Sequence, residues 1–171
     1  MCEIVNKYLK TKFGDIDIPS DNAEKQQLAR ALFGLSIVDK LDHWLHVAND
    51  YVDNEKPTEP FERDNEFSQR DEHFRNAFAK LDNDTKKAIK ELISSTSTGI
   101  IFSLLTNLDQ FDYGKLKLSL TPKSRQDLEI EISSEDELHD DLAVWIDSFS
   151  KYKDDLVEKE NTSFGTSYKL L

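Results

Sequence analysis

Two short stretches, "KLKLSL" at 115–120 and "LEIEI" at 128–132, alternate apolar and polar residues with a period of two. That spacing sends Leu116, Leu118 and Leu120 to one face of a strand, and Leu128, Ile130 and Ile132 to one face of another. The intervening "TPKSRQD" is rich in turn-forming residues, so the pair reads as an antiparallel hairpin with one buried face. On the open face Lys117 comes within reach of Glu129 or Glu131. The rest of the chain supplies helices to cover the apolar face.

The longest of these runs from a cap at Asp21 or Asn22 to about Val52, with Gly34 as a bend or a point of close packing. At about 100° per residue, Val38, Leu41, Leu45, Ala48 and Val52 share one face. Asp39, His43, His46 and Asp50 form a continuous polar row on roughly the opposite side. A short helix over 3–13 precedes it. Pro57 and Pro60 then make 53–62 an exposed acidic loop. A helix follows at about 62–81, with Phe67, Phe74, Phe78 and Leu81 at helical spacing, and another starts at Asp84 or Thr85. "SSTSTG" interrupts that last pattern before "IIFSLLTNL", which resumes as helix or forms a buried strand, with helix favoured. After the hairpin, Ser134 and Glu137 form a capping box that opens an acidic helix to about 158. Residues 159–171 make a tail that docks through Phe164, Tyr168 and Leu170 or contacts a neighbour. The expected fold is therefore one α+β domain over 1–171, mostly helical. Four or five helices pack with a small antiparallel sheet built on the 115–133 hairpin.

The chain carries 22 basic and 34 acidic residues, a net charge of -12, concentrated at 53–72 and 134–158. Such a charge repels nucleic acid and anionic lipid, whose binding needs basic patches, and attracts a basic protein. No uninterrupted apolar run reaches the roughly 18–20 residues of a bilayer span, which argues against a membrane segment. A single Cys, with no signal peptide pattern at the start, points to the cytoplasm.

Three patterns bear on chemistry. The Asp39–His43–His46–Asp50 row has ligand types suited to zinc or another divalent metal, and one helix rarely closes a site alone. His73 on the next helix is the natural further donor, so His43, His46, Asp50 and His73 form the candidate metal set. "LHDD" at 138–141 contains a His-Asp dipeptide that resembles the pair in HD-type metal phosphohydrolases, and His73, His139, Asp140 and Asp155 follow that family's order. Here, however, the dipeptide opens an acidic helix after a hairpin rather than standing in an all-helical setting. "MCEIV" resembles the start of class II glutamine amidotransferases, which use an N-terminal Cys as nucleophile. Glu3 stands where that family has glycine, and one hairpin falls short of its layered sandwich. With 5 Gly in the chain there is no phosphate-cradling loop and no nucleophile elbow. No catalytic residue is assigned. The reading that fits size and charge is a non-enzymatic binding module, of the inhibitor or immunity type, with no cofactor. Its contact candidates are Asp39, His43, His46 and Asp50, the flanking aromatics Trp44 and Tyr51, and Asp140 and Asp141. The alternative is a metal-dependent hydrolase built on the His-bearing helices. Self-association into a homo-oligomer is the third possibility.

Overall fold

The computed structural model describes residues 2–9, 16–53, 66–110, 115–120, 128–132, 137–162 and 165–171. In chain order these form α1 (Cys2–Tyr8), α2 (Asn22–Asp53), α3 (Glu66–Phe78), α4 (Asn83–Asp109), β1 (Lys117–Leu120), β2 (Leu128–Glu131), α5 (Asp141–Phe149), α6 (Lys153–Leu156), β3 (Val157–Thr162) and β4 (Gly165–Leu170). Among the described residues the strands make two separate two-stranded antiparallel sheets, β1-β2 and β3-β4. The fold is mostly helical α+β, as expected. Nearly all of the acidic loop at 53–62, the capping-box Ser134 and the tail's Phe164 lie outside the described residues.

The long α2 is the axis of the molecule. Asp21 starts it by accepting the Glu24 amide at 2.9 Å, one of the first-turn donors a helix leaves unsatisfied. Its predicted face is the core face: Val38, Leu41 and Leu45 are buried against Leu105 of α4, against Leu142, Trp145 and Ile146 of α5, and against Leu156. Gly34 marks the closest approach. A Cβ built there would lie under 3.0 Å from three ring atoms of the fully buried Trp145. The glycine is thus a packing device and not a bend, and α2 runs through it unbroken. Nearer the start of α2, Ala29 and the partly buried Leu32 cover the β1-β2 hairpin, where Ile130 and Ile132 pack with Leu116 and Leu118. Leu118 pairs with Ile130 in the ladder, and Lys117 reaches Glu129 at 3.4 Å on the open side.

Three expectations change. First, "SSTSTG" does not interrupt α4. Within that stretch the Thr98 hydroxyl donates to the Ser94 carbonyl four residues back at 2.9 Å, and farther along Ser103 and Thr106 donate likewise to Gly99 and Phe102, so these hydroxyls are satisfied on the helix instead of ending it. Second, the helix predicted over 134–158 stops at Phe149. Asp42, buried on α2, accepts the Ser150 hydroxyl and the Lys151 amide, which turns the chain before the short α6. Third, the tail docks through Tyr168 and Leu170 as expected, but it does so as a strand of a second hairpin. β3 and β4 pair as that hairpin, and Tyr168 and Leu170 pack on the main core.

Candidate functional site

The predicted polar row lies on the outer side of α2. His43 and His46 are exposed, and His46 Nδ1 stands 3.6 Å from Asp50 Oδ1 one turn on. Asp39 pairs with the adjacent Lys40, and the His43 ring meets the exposed Trp44 edge-on with centroids 5.4 Å apart. The lower end of the row turns inward to α3. Tyr51 donates to Asp71 Oδ1 at 2.6 Å, while Arg75 lies over the Tyr51 ring and donates to the Asp50 carbonyl at 3.3 Å. His73 is exposed beside Phe74. On α3 it sits roughly 160–200° around the helix from Asp71 and Arg75, the residues that meet α2. The structure therefore does not bring His43, His46, Asp50 and His73 to one point.

The two acids predicted after the hairpin part company. Asp141 accepts Arg30 Nε at 2.7 Å, and the same buried guanidinium donates to the carbonyls of Ile132 and Glu137. Asp141 is thus a structural anchor between α2, the end of β2 and the start of α5. Asp140 is exposed.

Next to it lies the chemically richest cluster. Asp109, at the last position of α4, has a side chain only 6% exposed; the ring of His139 is 16% exposed. The Asp109 carboxylate accepts the amides of Leu138 and His139 at 2.8 and 3.0 Å, and faces His139 Nδ1 at 2.9 Å. The other ring nitrogen, Nε2, faces Glu137 Oε2 at 3.1 Å and Asp140 Oδ1 at 3.6 Å. Phe102 meets the imidazole edge-on, with centroids 5.0 Å apart. The bond to Asp109 holds a proton on His139 above the usual histidine range, against the opposing effect of burial, and the charges of Asp140 and Glu137 add to it. Among the described residues, Glu137, His139 and Asp140 are the group of three metal-ligand side chains whose ligand atoms lie within 4.8 Å of one another. His139 and Asp140 open onto a cavity of about 490 Å³ that Gly99, Phe102 and Lys169 also line.

The third feature is the outer face of α4. No charged residue stands between Glu91 and Asp109. Leu92, Thr96, Ile100, Leu104 and Leu108 follow one another at four-residue steps and form one ridge. Leu92, Ile100 and Leu104 are 66%, 57% and 58% exposed, and Leu108 is exposed too. By length and composition α4 is long and apolar enough to cross a membrane. Uninterrupted apolar runs in the sequence do not reveal this, because uncharged Ser, Thr, Gly99 and Asn107 break them.

Asp109 carried a signal in the sequence: a carboxylate in the last turn opposes the helix dipole, so something other than helix stability holds it there. Arg30 and Asp42 carried none, since their partners lie more than 100 residues away. Compared with protein-family models, curated proteins and solved structures, the chain matches none.

Proposed function

We propose that the chain is a non-enzymatic protein-binding module of the inhibitor or immunity type, acting in the cytoplasm, that takes a basic partner on the outer face of α4. The observation that carries this reading is the exposed uncharged ridge from Leu92 to Leu108. Single exposed apolar side chains are ordinary in folded proteins. A contiguous row is what a partner or a membrane covers. The net charge of -12 favours a cationic protein over an anionic bilayer. Acids stand along one flank of the helix: Asp140 lines the cavity beside His139, and Glu91, Asp154 and Asp155 line an adjoining one that shares Ser95 with it and also holds Lys87 and Lys90. A partner helix with an apolar stripe and flanking Lys or Arg matches that arrangement, apolar at the centre and charged at the rim.

The test is capture from a lysate of the source cells by the wild-type chain and by an Ile100→Glu/Leu104→Glu variant. The wild type should retain a basic protein, and the yield should fall as salt rises. The variant should lose that capture by at least about tenfold, because it places two desolvated charges at the centre of the contact. Both positions are exposed, so its melting should change little. Wild-type binding to zwitterionic vesicles, or a dimer in light scattering that the variant dissociates, would assign the face to lipid or to a second copy and overturn the proposal.

A further inference from the structure

Separately from the partner surface, we propose that Glu137, His139 and Asp140 hold one divalent transition-metal ion such as zinc, with Asp109 fixing the imidazole behind it. His139 Nδ1 faces a buried carboxylate that also accepts two backbone amides, so Nδ1 is the nitrogen that carries hydrogen. Nε2 then points its other valence at Glu137 and Asp140. A bare lone pair against two carboxylates is repulsive, so that position calls for a positive species, either a proton or a cation.

The spacing suits a cation. Two ligand atoms bound at about 2.1 Å with a tetrahedral angle lie about 3.4 Å apart. The Nε2 distances of 3.1 Å to Glu137 and 3.6 Å to Asp140 bracket that value. Imidazole nitrogen with carboxylate oxygen is a donor set for zinc and neighbouring first-row ions. A carboxylate on the far nitrogen of a ligating histidine is the usual support for such a site. The backbone is held as well. Asp109 binds the Leu138 and His139 amides, and Arg30 binds the Glu137 carbonyl at 3.0 Å, so the whole turn is anchored before any ion arrives. Three protein ligands leave a position for water or a substrate atom, and the cavity beside Asp140 gives it room. Lys169 lines the same cavity, and its ammonium suits an anionic fourth ligand.

The experiment is calorimetric titration of the chelator-stripped full chain with zinc chloride in a non-coordinating buffer. One ion per chain is expected. His139→Gln should weaken binding by at least about 100-fold, and Asp109→Asn by about 10–100-fold although it touches no ion. His46→Gln, on the other helix row, should change nothing. His139 is partly buried, so Glu137→Gln/Asp140→Asn is the companion variant. Both of those side chains are exposed; the protein should melt as the wild type does and lose the ion. No binding to the wild type means that a proton alone fills the position and overturns the proposal. Unchanged affinity in His139→Gln or in the double carboxylate variant overturns it as well.

Discussion

Gly34→Ala is expected to lower the melting temperature by about 4–8 °C, although alanine is the better helix former. The gain in helix propensity is about 1 kcal/mol. Against it stands the crossing of α2 and α5. The added methyl would meet Cγ, Cδ2 and Cε2 of Trp145, all closer than 3.0 Å. The ring cannot swing away, because it is fully buried and Phe33 packs edge-on against it with centroids 5.9 Å apart. Overpacking of this kind costs about 3 kcal/mol or more when the neighbour is rigid. The net loss is then about 2 kcal/mol, at about 2–4 °C per kcal/mol for a domain of this size. Gly99→Ala is the internal control. Nothing lies within 4 Å of a Cβ there, so only the propensity gain remains, and that variant should be more stable than wild type by up to about 1 kcal/mol. Thermal unfolding followed by circular dichroism reads both signs. Equal stability of Gly34→Ala and wild type would mean that the two helices do not cross so closely.

The same contrast explains which parts of this fold are legible in the chain. The β1-β2 hairpin is, because Leu116, Leu118, Ile130 and Ile132 carry a local alternation that one buried face imposes. The core face of α2 is legible for the same reason at the helical period. The second hairpin is not. Glu158, Lys159 and Lys169 leave its strands polar along most of their length, and among the described side chains Val157, Tyr168 and Leu170 are those that turn to the core. The stop after Phe149 is equally hidden, since the group that ends the helix is Asp42, on another element. As for the site, periodicity shows that His43 and His46 face outward. The Asp109–His139 pair joins the end of α4 to a turn 30 residues on, and only tertiary packing brings those together. Sequence patterns report faces; a site made of two chain segments depends on how the faces are stacked.

Arg30→Met should be the most damaging single change among the polar residues, at about 3–5 kcal/mol. Methionine keeps the length of the stem and most of its packing, so the loss isolates the guanidinium. Three groups lose their partner together: the Asp141 carboxylate at 2.7 Å, the Ile132 carbonyl at 3.3 Å and the Glu137 carbonyl at 3.0 Å. Removing one member of a buried ion pair strands the other charge, and that desolvation, more than any lost attraction, sets the size of the effect. Asp141→Asn alone should cost less, because the arginine keeps both carbonyls and the amide oxygen can still accept. In the double variant the stranded charge is gone, so the combined loss should fall short of the sum of the two single losses by about 1 kcal/mol or more. Additive losses in chemical denaturation would show that Arg30 and Asp141 do not act as a pair. The same variant also reports on the turn at 137–140, since Arg30 holds its first carbonyl. If that anchor positions Glu137, Arg30→Met should weaken zinc binding even at temperatures where the chain remains folded.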